Sequence, residues 1–193
     1  MTALNIVGVS GGLSVPSRTL ALVELAVDAI TQAAPASMRT SSSVIDIGSL
    51  RHIGLARSRA DVLPEEEQAL RAVENADLLV VGTPVYKGSY TGLFKHFVDL
   101  LEYRSLIGTP VALLAIGGSD RHALVIEHQL RPLFAFFQAQ PLGTGLFVSE
   151  RELVDGRFAS VPAQQRFDRL VEEAARAAHA HLHQHPRLNE TAA

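Results

Sequence analysis

The chain contains no cysteine and no tryptophan. Without thiols there are no disulfides, no thiolate nucleophile, no iron–sulfur ligation and no Cys-ligated zinc. Any redox chemistry would therefore belong to a bound cofactor. Charge is also sparse and balanced, with 17 Lys and Arg against 20 Asp and Glu and a net charge of −3. Such a surface has no basic footprint, which argues against nucleic acid as a partner. No run of 18 or more apolar residues occurs, so no membrane span is expected. Met1-Thr2-Ala3 leads into an apolar run with no charged segment, hydrophobic core and cleavage site, and the expected location is cytoplasmic. Two common phosphate loops are missing as well: Gly-x-x-x-x-Gly-Lys-Ser/Thr and Gly-x-Gly-x-x-Gly are both absent. Neither a Ser-His-Asp set nor a carboxylate pair stands out, so no catalytic side chain is assigned.

What is present is an alternation of buried strands and amphipathic helices along 193 residues that are 47% hydrophobic. Leu4–Ser10 reads as a strand and Ser17–Ala33 as a helix with Leu20, Val23, Leu25, Val27 and Ile30 on its apolar side. A short strand follows at Val44–Ile47, then an irregular surface segment over Gly48–Leu63. Pro64 opens a helix whose first turn carries Glu65, Glu66 and Glu67, matching the helix dipole. Asp77–Gly82 is a buried strand, and a helix runs from Thr91 or Gly92 to about Arg104. Pro110–Ile116 is a strand, a long helix is expected over Asp120–Gln138, Leu142–Val148 is a strand, and Pro162 to about His183 is the closing helix. Strands buried on both faces and separated by helices form an α/β, three-layer, doubly wound parallel sheet. Five strands in the order 2-1-3-4-5 is the expected topology. Residues 1–185 are expected to make one domain and 186–193 a loose tail.

In such a sheet, ligands bind beyond the carboxyl ends of the strands at the topological switch point. Three loops meet there. The first runs from Gly8 to Thr19, and Ser10, Ser17, Arg18 and Thr19 put hydroxyls and a guanidinium at a helix start. Unpaired N–H groups and the positive dipole end make that spot suited to a phosphate monoester. The second, Thr83-Pro84-Val85-Tyr86-Lys87, leaves its strand extended because Pro84 excludes Thr83 from helical space. Its backbone and the Tyr86 ring can face a planar heterocycle. The third, Gly117-Gly118-Ser119, allows close backbone approach.

Taken together, Ser10…Ser17-Arg18-Thr19, Thr83-Pro84-Val85-Tyr86-Lys87…Tyr90-Thr91-Gly92…Lys95 and Ala115-Ile116-Gly117-Gly118-Ser119 resemble the NAD(P)H-dependent FMN reductase family. The chain is most similar to reductase components of two-component alkanesulfonate and methanesulfonate monooxygenases. The resemblance implies a flavodoxin-like fold, with Ser10, Ser17, Arg18 and Thr19 on the FMN phosphate. It implies that Pro84, Val85 and Tyr86 border the isoalloxazine, flanked by Thr83 and Lys87, with Gly117, Gly118 and Ser119 at its other edge. The opening Val9-Ser10-Gly11-Gly12 departs from the usual Gly-Ser-Pro start.

The implied activity is reduction of FMN by NADH or NADPH, with NADH slightly favoured, and delivery of free reduced flavin to a monooxygenase. The alternatives are a quinone or azo reductase that keeps its FMN and, in another class, a flavodoxin-type electron carrier. A carrier would be more acidic than −3. Arg51, Arg57, Arg59 and Arg121 leave the nucleotide preference open.

Pro132 interrupts the long helix, lacking the N–H that would bond the His128 carbonyl. A proline kink and a π-bulge around His128 are both compatible with that. The resemblance implies a π-helix here at a subunit interface of a homodimer or homotetramer, with His128 where the alkanesulfonate type has tyrosine. His122 is a candidate for the nicotinamide side. His179, His181, His183 and His185 read as a solvated helix end and not a metal site.

Overall fold

The structure is a computed structural model that describes residues 3–35, 38–154 and 156–184. Its central sheet is parallel and carries the strands in the expected order. These are β1 (Leu4–Ser10), β2 (Thr40–Asp46), β3 (Leu78–Pro84), β4 (Pro110–Gly117) and β5 (Gln140–Pro141), arranged β2-β1-β3-β4-β5. A further segment, β6 (Leu146–Ser149), pairs with β4 beyond β5 and continues the same edge. The expected fifth strand over Leu142–Val148 is thus split. The Leu142–Gly145 backbone turns away, held by Arg131, whose guanidinium donates to the carbonyls of Pro141 and Leu142, and by Glu173, which accepts from the N–H groups of Gly143 and Thr144.

Every residue of β4 is buried, as are all of β3 but Pro84, because helices cover both faces. On one face α1 (Arg18–Ala33) presents Leu22, Val23, Ala26, Val27 and Ile30. It packs there with Phe167, Leu170, Val171, Ala174 and Ala178 of the closing helix α5 (Val161–Gln184). The other face is covered by α2 (Pro64–Glu74), α3 (Gly92–Asp99) and α4 (Arg131–Phe136). Leu70, Phe94, Phe97, Leu130 and Phe134 belong to the core on that side. Close contact between α1 and the sheet depends on glycine at Gly8 and Gly82. A Cβ at Gly82 would stand 2.4 Å from Val23 Cγ2.

Several element boundaries differ from the sequence reading. β2 begins four residues earlier than expected, at Thr40, because an edge strand with one wet side accepts the polar Thr40–Ser43. Gly48–Leu63 is not a plain surface loop. It forms three short 3₁₀ turns that bury Ile53 and Leu50 against the core. The helix expected to reach Arg104 stops at Asp99, where the N–H groups of Leu100 and Leu101 take i−3 bonds and Arg59 captures the Leu100 carbonyl.

The long helix expected over Asp120–Gln138 is three pieces. Ser119 accepts from the Arg121 N–H and starts a 3₁₀ turn (Asp120–His122), a π turn follows at Ile126–Leu130, and α4 ends at Phe136. The Arg131 N–H bonds the Ile126 carbonyl five residues back, so the ladder changes register just before Pro132, the residue that has no N–H to give. The 186–193 tail and His185 lie outside the described residues.

Candidate functional site

A cleft of about 380 Å³ opens at the carboxyl ends of β1, β3, β4 and β6, within the usual range for small-molecule sites. It is lined by Arg18 and Thr19 from the start of α1, Pro84, Val85 and Tyr86 after β3, and Gly117 and Gly118 after β4. These are seven of the residues named from sequence, contributed by all three expected loops. Ser14, Pro16, Ile116 and Glu150 complete the lining. Sequence reasoning passed over them. Ser14 and Pro16 carried a signal, since they lie inside the first loop, but Glu150 follows a strand end that had no recognisable motif.

The start of α1 is built to leave donors free. Ser17 is the N-cap, its hydroxyl accepting from the Leu20 N–H at 3.1 Å. The Ala21 N–H takes the Ser17 carbonyl and opens the regular ladder. The N–H groups of Arg18 and Thr19 precede that first donor and make no hydrogen bond to any described residue. Two unpaired donors, the dipole end, the Thr19 hydroxyl and the Arg18 guanidinium therefore converge on one wall. Ser17 acts there as a cap and does not itself line the cleft. Ser10 also stands behind it: it is fully buried, and its Oγ accepts from the Gly12 N–H within the turn.

The β3 loop forms the opposite wall. The Val85 N–H bonds the Ile116 carbonyl at 2.8 Å, tying the loop to β4. Tyr86 and Ser89 exchange backbone hydrogen bonds around Lys87 and Gly88, whose φ values are +53° and +85°. Two positive φ angles in a two-residue hairpin make a type I′ turn, which asks for glycine and here places a lysine in left-handed space. Lys87 stands exposed at the tip, away from the cleft lining, while Tyr86 is 46% exposed and faces it. Thr83 lies buried beneath the loop, its hydroxyl donating to the Pro84 carbonyl.

Thr91 is a positioning residue that sequence reasoning did not assign. It caps α3 by accepting from Phe94 N–H and donates to the Gly11 carbonyl at 3.0 Å, joining the first and second loops.

At the third loop, a Cβ on Gly117 would meet Phe147 Cζ at 2.9 Å, so the ring of Phe147 requires glycine there. At Gly118 the nearest atom to such a Cβ is Glu150 Oε1 at 4.0 Å. Ser119 is used as a cap and does not line the cleft. His122 sits beside Gly117, its Cβ 3.6 Å from where a Gly117 Cβ would be. His128 lies exposed in the π turn, outside the cleft. His179 and His183 touch each other, Nε2 to Nε2 at 3.1 Å, and no group of three or more metal-ligating side chains exists among the described residues.

Arg18 is the cation and Glu150 the carboxylate of the cleft lining, and they pair at 2.7 Å. No described helix is long and apolar enough to cross a membrane.

Comparison with known proteins agrees with this geometry. The family model described as NADPH-dependent FMN reductase matches residues 4–153. The chain is 49% identical to an NADH-dependent FMN reductase, SfnE, of Pseudomonas putida, over 90% of this chain and 91% of that protein. It is 46% identical to an FMN reductase (NADPH) of Pseudomonas aeruginosa, over 89% of this chain and 90% of that protein. Among solved structures it is similar to an NADH:FMN oxidoreductase, EMOB, in its apo form. That likeness has a TM-score of 0.80 at 26% identity and covers 91% of this chain and 90% of that one.

Proposed function

The chain belongs to the NADPH-dependent FMN reductase family, and from that premise we propose that it oxidises NADH or NADPH, reduces FMN and releases the reduced flavin to a partner monooxygenase. The observation that carries the reading is the free donor set at the start of α1, which faces the extended Pro84–Tyr86 loop across one cleft. A flavin mononucleotide has a dianion at one end and a planar ring at the other, and both fit this donor chemistry. Arg18, Thr19 and the unpaired N–H groups would hold the phosphate, with Ser10 and Ser17 shaping the turn behind them. Pro84, Val85 and Tyr86, supported by Thr83, would border the ring on one side, and Gly117 and Gly118 on the other. Lys87 and Ser119 would stand at the rim.

When bound, FMN supplies a hydride acceptor for the nicotinamide, and the protein contributes orientation more than acid–base catalysis. That agrees with a cleft lined by a single ion pair and otherwise by neutral groups. The relatives named for NADH and for NADPH are similar to this chain to nearly the same degree, so both nucleotides are carried forward. The monooxygenase is proposed to be of the methanesulfonate or alkanesulfonate type. The reading takes residues 1–185 as one flavin-binding domain working in the cytoplasm. It also takes the chain to be a homo-oligomer, with exposed His128, Leu124 and Phe136 at the contact.

The test is steady-state oxidation of NADH and then NADPH by flavin-stripped protein, with and without free FMN. A rate that saturates with FMN and needs no other acceptor supports the proposal. A rate that requires a quinone or azo dye, with one FMN retained per chain, overturns it.

A further inference from the structure

Arg18 and Glu150 reach across the cleft from opposite ends of its floor. Arg18 opens α1, which follows β1, while Glu150 follows β6. Between those two strands lie β3 and β4, in the neighbour order β1-β3-β4-β6. Arg18 Nη1 sits 2.7 Å from Glu150 Oε2, and both side chains line the cleft.

Glu150 is firmly placed for this. Its N–H donates to the Gly117 carbonyl at 3.0 Å. The preceding Ser149 is fixed by the Glu152 carboxylate, which accepts from both the Ser149 N–H and hydroxyl. The carboxylate therefore stands on a rigid strand end and takes the one guanidinium that the cleft offers.

A carboxylate in contact with the proposed phosphate-binding arginine has a direct consequence. An incoming phosphate must take Arg18 from Glu150, and a departing phosphate leaves Arg18 a partner to return to. We infer that Glu150 is an internal competitor for the FMN phosphate, one that weakens flavin binding and so favours exchange and release. The inference rests on the flavin reading above and deepens it. It assigns to Glu150 the control of how tightly phosphorylated flavin is held. Both side chains keep more than half their exposure, 59% for Arg18 and 53% for Glu150, so the pair is weak enough to be broken by a ligand. A phosphate dianion offers Arg18 a more highly charged partner with bidentate geometry, so the exchange runs toward ligand.

The experiment measures dissociation constants for FMN and riboflavin by quenching of flavin fluorescence, in the wild-type protein and in Glu150→Gln. The variant is expected to bind FMN about threefold to tenfold more tightly, a scale set by one exposed ion pair plus relief of charge repulsion. Riboflavin has no phosphate, and its constant should change less than twofold. In an Arg18→Gln background, the gain in FMN affinity from Glu150→Gln should fall by at least half. Unchanged FMN affinity in Glu150→Gln overturns the inference, and so does an equal gain for both flavins. A wild-type protein that binds neither flavin overturns the flavin reading itself. Far-ultraviolet circular dichroism of each variant verifies that the fold is retained.

Discussion

Ser89 Oγ donates to Gln129 Oε1 at 3.0 Å, joining the hairpin that follows β3 to the π turn. The two residues lie forty positions apart. Ser89 closes the turn whose other end is Tyr86, so the π turn bears on one wall of the cleft through a single hydrogen bond. Ser89→Ala and Gln129→Ala should each loosen that wall. A hydrogen bond of this kind is worth about 1 kcal/mol, so the KM for FMN should rise about twofold to fivefold with kcat changed less than twofold. A double variant no worse than either single variant would show the two acting through this bond.

Arg59 anchors a second network. Its guanidinium donates to the carboxylates of Glu67 and Glu74 and to the Leu100 carbonyl. Hydrogen bonds from Arg59, followed by those from Arg71, pull the Glu67 carboxyl from 4.5 down to about 2. A carboxyl with a lowered folded-state pKa contributes stability that is complete above its unfolded value and disappears as pH falls through its folded value. Stability should therefore fall between about pH 4.5 and about pH 2 in part through Glu67. Glu67→Gln should flatten that portion of a Tm-against-pH curve.

Arg59→Ala at neutral pH leaves the Glu74 carboxylate, 12% exposed, without its cation, and frees the carbonyl that ends α3. Loss of charge-assisted bonds at a half-buried site costs about 2 kcal/mol, or about 4–8 °C in Tm for a chain of this size. Thermal unfolding by circular dichroism reads this directly.

Gly82→Ala places a methyl group 2.4 Å from Val23 Cγ2, in the contact between β3 and the helix that carries Arg18 and Thr19. Overpacking of a rigid β-branched neighbour should cost about 1–3 kcal/mol in urea unfolding. FMN affinity should fall with it, because α1 shifts. Val23→Ala in the same chain removes the clashing methyl and should recover a good part of both losses.

Ser17→Ala removes the hydroxyl that caps α1 and leaves the Leu20 N–H unpaired at the cleft wall. Stability should drop by about 1 kcal/mol. Ser17→Asp keeps a capping acceptor but adds negative charge beside Thr19, so it should restore stability while weakening FMN binding. Separation of the two readouts in one residue distinguishes the cap from the anion site.

The amino-acid sequence by itself determined the strand order, the three cleft-forming loops and most of the cleft lining. Its information there is local. Apolar runs such as Leu78–Val81 have only one buried strand to form, and Pro84 and Ser17 act within their own turns. Tertiary structure decided what depended on contacts between distant segments.

The helix from Gly92 ends at Asp99 because Arg59, forty residues upstream, takes the Leu100 carbonyl, and the fifth strand is split because Arg131 and Glu173 bind its middle. Pro132 announced a fault in its helix, but a kink and a π turn satisfy a missing N–H equally well from sequence. The packed arrangement around Ile126 and Leu130 selected the π turn. Glu150 was invisible for the same reason. Nothing near it in the chain marks it as a partner of Arg18, and only the folded arrangement of β1, β3, β4 and β6 with α1 brings the two side chains together at one cleft.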